Sequence, residues 1–194
     1  MDQIVKAFAK AISVVDSRCP GYVSRSNRQY QPGIGPYAAN KAMELVTQQL
    51  CDVGIACGQF IAYPAAAAKK CDIWLGEPLE WVIEVKMGRF RGDNGKPDDT
   101  GIKDLISPFS ADRSALTDGV KLAESEFAAK KAVLVYGFDD SDRPLGDAID
   151  TLDALLRRRV VIRDKKEAEF AELRHPVFQS GRVVGWEIGG VAEA

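Results

Sequence analysis

Cys71-Asp72-Ile73-Trp74-Leu75, a turn, and Trp81-Val82-Ile83-Glu84-Val85-Lys86-Met87 form the stretch on which the fold turns. Strand side chains alternate between faces. On that period Trp81, Ile83, Val85 and Met87 share one face, and Val82, Glu84 and Lys86 the other. Cys71, Ile73 and Leu75 share a face in the same way, with Asp72 opposite. Each segment therefore sets an apolar row against a core and leaves its acid on the other side. If Glu77-Pro78-Leu79 is a three-residue loop, Gly76 opposes Glu80 and Asp72 opposes Glu84. Opposed residues have Cβ atoms ~4.5–5.5 Å apart, and like charges there repel. A loop one residue longer would pair Asp72 with Ile83 and turn Glu84 over. The hydrophobic alternation favours the first register.

Two carboxylates held so close must raise a pKa or bind a cation. Mg²⁺ takes oxygen ligands, commonly one or two carboxylates with several waters retained; Mn²⁺ would substitute. Lys86, two residues past Glu84, points to the same side. An amine there can orient or deprotonate an attacking water and offset charge in a phosphoryl transition state. Asp, Glu and Lys around one metal suit phosphodiester hydrolysis.

Working outward, residues 2–15 carry apolar side chains at helical spacing. Residues 16–36 hold Pro20, Gly21, Pro32, Gly33, Gly35 and Pro36 among Arg18, Arg25, Arg28, Tyr22 and Tyr30, which reads as a basic, aromatic loop. A second helix is expected over 36–53, ended by Gly54. Strands follow at 55–63, 70–75 and 80–87, then a polar loop over 88–104. A helix over 110–127 and a buried strand over 132–138 come next. Beyond these lie a helix over 146–158, a short strand at 160–162, a charged helical stretch at 164–173 and two short strands about Ser180-Gly181. The expectation is an α/β fold, a three-layer core with a mixed sheet flanked by helices. One domain over 1–194 suits the length.

A net charge of −2 and an isoelectric point near 5.6 argue against a protein that coats nucleic acid by charge alone. An enzyme needs only a positive contact face. Residues 1–15 carry Asp2, Lys6 and Lys10 among apolar residues, unlike a signal peptide. No run approaches the ~20 apolar residues of a membrane span. A cytoplasmic location without membrane contact is expected. Cys19, Cys51, Cys57 and Cys71 are scattered and His175 is alone, so zinc and histidine-dependent sites are not expected. The cysteines read as reduced, buried thiols.

Asp72 in Cys-Asp-Ile-Trp, with Glu84 and Lys86 in Ile-Glu-Val-Lys, resembles the PD-(D/E)XK nuclease superfamily of restriction endonucleases and Holliday junction resolvases. The resemblance covers about residues 36–139, in the order helix, three strands, helix, strand. Cys71, not proline, precedes Asp72. The resemblance implies a restriction-endonuclease-like core, with Mg²⁺ on Asp72, Glu84 and the Val85 carbonyl, and Lys86 assisting the nucleophile. It also implies an acid on the first core helix. Glu44 is the only candidate, although it lies about 140° from that helix's apolar face. Pro97-Asp98-Asp99 matches the motif in letters only, since it follows the Glu-x-Lys strand.

Phosphate contacts are expected from Arg89, Arg91 and Lys96 in the loop after the catalytic strand, and from Lys121 on the next helix. DNA is the expected substrate, with RNA an open alternative. A single site cuts one strand, so double-strand cleavage calls for a homodimer. The other readings are an inactive nuclease-fold module that binds nucleic acid or protein, and a structural subunit with surface carboxylates.

Overall fold

A computed structural model of the chain describes residues 1–24, 27–140, 142 and 144–192, so Arg25 lies outside the described residues. The chain opens with helix α1 (Asp2–Arg18), whose buried face includes Val5, Phe8, Ile12 and Val15. Asp16 near its end is also buried. One carboxylate oxygen accepts from the Ile34 N–H and the other from the Arg174 N–H, both at 2.8 Å, so a single acid ties down two loops.

Within the expected loop the chain makes a small hairpin, β1 (Tyr22–Val23) with β2 (Gln29–Tyr30). The core elements follow: α2 (Ala39–Asp52), β3 (Cys57–Tyr63), β4 (Ala66–Leu75) and β5 (Trp81–Gly88). Next come α3 (Thr100–Ile106), a 3₁₀ turn at Ser110–Asp112, α4 (Ala115–Ala123) and β6 (Lys130–Phe138). The chain closes with α5 (Leu145–Arg157), β7 (Val160–Phe170) and β8 (Gly181–Val191).

Strands β3 to β8 form one sheet in the order β3-β4-β5-β6-β8-β7. The β5–β6 pair is parallel and the others are antiparallel, which makes the sheet mixed. Residues of α1 and α2 cover one face in a core with Ile73, Ile83, Leu134 and Tyr136. Residues of α3, α4 and α5 cover the other face, with Val82, Val133, Val135 and Trp186. This is the expected three-layer α/β core, with two helices in place of the expected one between β5 and β6.

Several expectations are corrected. The charged stretch 164–173 is not a helix. Most of it belongs to β7, an 11-residue edge strand paired with β8. Charged residues are the usual protection of a sheet edge, and on a strand open to solvent they leave no clean period of two. Ser180-Gly181 does not separate two short strands: the segment before it is not a strand, and Gly181 opens one strand of 11 residues. The polar loop after β5 contains α3. The helix expected over 110–127 shrinks to α4, because Arg113 adopts φ +50° and Ser114 caps the new start by accepting from the Thr117 N–H.

The thiols differ as well. Cys51 and Cys57 form a disulfide between the end of α2 and the start of β3, while Cys19 and Cys71 are free and buried. His175 is fully buried, accepts from the Val177 N–H and stacks on Phe178. Among the described residues no helix is long and apolar enough to cross a membrane.

Candidate active site

The β4–β5 register pairs Ile73 with Ile83, Trp74 with Val82 and Leu75 with Trp81. That is the register the alternation favoured, and Asp72 and Glu84 are the next residue on each strand. The ladder stops there and the two strands part. The Asp72 Oδ2 atom accepts from the Val85 N–H at 2.8 Å, across the opening.

The faces of β5 are as expected. Ile83 and Val85 join the α1–α2 core, while Val82 joins the opposite core. Glu84 and Lys86 follow Val82 toward α4. Cys71 is a correction: it packs with Tyr63 and Val82, away from Ile73 and Leu75. β3 switches in the same place, because Cys57 packs with the first core and Ile61 and Tyr63 with the second. Between the switched halves lies Phe60, opposite Asp72 and at φ +63°. Its flanking residues Gln59 and Ile61 pair with Ile73 and Cys71. A left-handed residue interrupts the pleat, so both strands change face at that step and Asp72 turns into the opening.

Glu84 is 2% exposed and Asp118, on α4, 4% exposed. The Lys86 ammonium lies 2.5 Å from Asp118, and Lys121 lies 2.6 Å from Glu84 and 2.8 Å from Asp118. Tyr63 donates its hydroxyl to Glu84 at 2.6 Å, and its ring lies under Lys121 at 5.1 Å. Asp118 and Lys121 are three apart on one helix, so both reach the same point. Asp72, Glu84 and Asp118 thus stand together with Lys86 and Lys121.

The pKa shifts follow from that arrangement. Burial, then the charges of Asp118 and Asp72, raises Glu84 to about 7, against the pull of Lys121. Burial acts to lower Lys121, but Asp118 and Glu84 overcome it and raise the amine. The Tyr63 hydroxyl and the Cys71 thiol are both raised, first by burial and then by the Glu84 charge. Asp104 on α3 is raised by burial, with Lys86 opposing.

The expected site residues divide. Asp72, Glu84, Val85, Lys86 and Lys121 come together. Glu44 does not: it projects into solvent from α2 and pairs with Lys41 at 2.7 Å. The helix phase gives the physical reason, since α2 presents Ala39, Asn40 and Met43 to the cleft. Lys121 is an internal partner of Glu84 and not a free phosphate grip. Arg89 donates to the carbonyls of Gly35 and Tyr37, so it braces the loop before α2. Arg91 is held by Asp140 and Asp142. Lys96 is exposed. Asp98 accepts from the Thr100 N–H at the start of α3, a structural use that agrees with the chance reading of Pro97-Asp98-Asp99.

Asp118, Tyr63, Asp104 and Phe60 were not visible as site residues in the sequence. Only Asp118 left a signal, its three-residue spacing from Lys121. Among the described residues no three His, Cys, Asp or Glu side chains converge as a ready cation cage. Asp72 commits one oxygen to Val85, and Glu84 commits one to Tyr63 and Lys121. Each keeps a second oxygen, the donor type that Mg²⁺ takes. Comparisons with protein-family models, curated proteins and solved structures return no match.

Proposed function

We propose that this chain is a Mg²⁺-dependent phosphodiesterase of the PD-(D/E)XK kind, acting on DNA as an endonuclease in restriction, phage defence or repair. The observation that carries the reading is Asp72 and Glu84 placed where two strands part, close enough for the Asp72 charge to act on Glu84, with Lys86 held by the buried Asp118. A divalent ion, when bound, would polarise the scissile phosphate and lower the pKa of an attacking water. Asp72 and Glu84 would hold it, with the Val85 carbonyl as a third protein ligand. Asp118 fixes the Lys86 ammonium, which orients the attacking water and offsets charge on the phosphate as it builds. Tyr63 and Lys121 hold the Glu84 carboxylate in place.

The same reading places the enzyme in the cytoplasm with its substrate, a location against which the Cys51–Cys57 disulfide weighs. The alternative is an inactive module of the same fold. It is favoured by one feature, the near-complete mutual pairing of Glu84, Asp118, Lys86 and Lys121. The test is incubation of the protein with plasmid, single-stranded DNA and RNA, in Mg²⁺, Mn²⁺ or EDTA. Metal-dependent cleavage that Asp72→Ala abolishes is expected. Intact substrate in every metal would leave the binding module.

A further inference from the structure

On the α2 side of the opening lies a pocket of about 150 Å³, with Asp72 and Lys86 at its edge. Met43 and Met87 give it apolar walls, Asn40 and Gln59 bring amides, Asp104 a second carboxylate, and Phe60 and Tyr136 also line it. Two of these residues are anomalous. Tyr136 is 1% exposed, yet its hydroxyl has no hydrogen-bond partner among the described residues. Buried polar groups are almost always paired, so an exception calls for an explanation. Phe60 is 55% exposed and sits at φ +63°, a conformation that bulky residues rarely adopt. Strain of this kind persists where the surroundings enforce it and gathers at ligand sites. A glycine would occupy the same backbone without strain and without an exposed ring.

We infer that this pocket receives one unstacked nucleobase next to the scissile phosphate. Phe60 stacks on its face and the Tyr136 hydroxyl bonds its polar edge. Flat apolar walls with a few polar groups at the end are what a base requires, and an aromatic face accepts any base. The substrate class that follows is single-stranded DNA, or a strand with an extruded base, in preference to an intact duplex. The inference rests on the nuclease reading for its substrate, but its binding test does not depend on cleavage.

The test is fluorescence anisotropy with a short labelled oligothymidylate, with Ca²⁺ replacing Mg²⁺. Phe60→Gly is expected to weaken binding about tenfold or more, in line with the loss of one base stack, while the melting temperature holds or rises. Tyr136→Phe is expected to weaken binding severalfold with no loss of stability, because the hydroxyl has no internal bond to give up. An abasic deoxyribose-phosphate strand should bind wild type and Phe60→Gly alike. Equal oligothymidylate affinity in Phe60→Gly and wild type, or a matching loss on the abasic strand, would overturn the inference. So would a wild type that does not bind oligothymidylate. Cleavage that is normal and independent of Phe60 defeats the base pocket and leaves the nuclease. Phe60-dependent binding without cleavage in any metal does the reverse.

Discussion

At Glu84, burial and the charges of Asp118 and Asp72 raise the carboxyl to about 7, from an ordinary value of 4.5. The folded protein therefore holds a proton that the unfolded chain releases between those values. The contribution of Glu84 to stability is fully present below about pH 4.5 and is lost as pH rises through 7. At 1.36 kcal/mol per unit the rise amounts to roughly 3 kcal/mol. In the absence of metal, Glu84→Gln is expected to raise the melting temperature at pH 8 and to flatten its fall between pH 5 and 8. Thermal melts over that range check this, and an unchanged slope would place its cause elsewhere. Lys86 yields a second expectation. Lys86→Ala should cut turnover at saturating Mg²⁺ by ~10²-fold or more, as loss of a positioned charge does. Asp118→Asn should lose much of the same rate, because Lys86 loses its anchor. Single-turnover kinetics of both variants separate the two roles. An Asp118→Asn enzyme with wild-type turnover would show that Lys86 needs no anchor.

The strand pair β4–β5 was legible because both carry a clear period of two and a short turn fixes their register. The switch of face at Phe60 and Asp72 was not legible, since nothing in the letters marks Phe60 as left-handed. Asp118 escaped for another reason. Its importance comes from the contact of α4 with β5, and a helix seen alone shows only an acid near a lysine. β7 misled because an edge strand facing solvent reads like a charged helix. The basic loop after β5 was read as a phosphate grip, and its pairing alters the expectation. Arg89 braces the carbonyls of Gly35 and Tyr37, and Arg91 is bound to Asp140 and Asp142. Only Lys96 of that set remains as an exposed cation on the loop. Each phosphate contact adds about −0.9 to the slope of log K against log salt. Lys96→Ala should therefore flatten the slope by roughly 1 unit. Replacing Arg89 should chiefly lower the melting temperature. A slope change of two or more units on removing Arg89 and Arg91 would mean that substrate displaces their internal partners.

Over the whole molecule the charge is −2, and the proposed function gives each chain one cleavage site. Such a protein cannot hold duplex DNA by broad electrostatic attraction, so its contacts must be few and close to the site. A single site hydrolyses one phosphodiester at a time, and the two strands of a duplex run in opposite directions. One copy can cut the second strand only after leaving the first and turning around. Two copies related by a twofold axis would present both sites at once. The order in protein concentration distinguishes these cases. Nicking by a single copy should rise in proportion to concentration, while paired cleavage should rise about as its square until dimers form. With supercoiled plasmid in Mg²⁺, open circles are expected first, with linear DNA overtaking them only as protein concentration increases. A preference for unpaired bases would add a further sign. The strand opposite a nick is easier to unstack, so linear product should form faster from pre-nicked plasmid than from intact plasmid at equal protein. Linear and open-circular DNA appearing together at the lowest active concentration, both first order in protein, would instead mean that one chain cuts both strands without release.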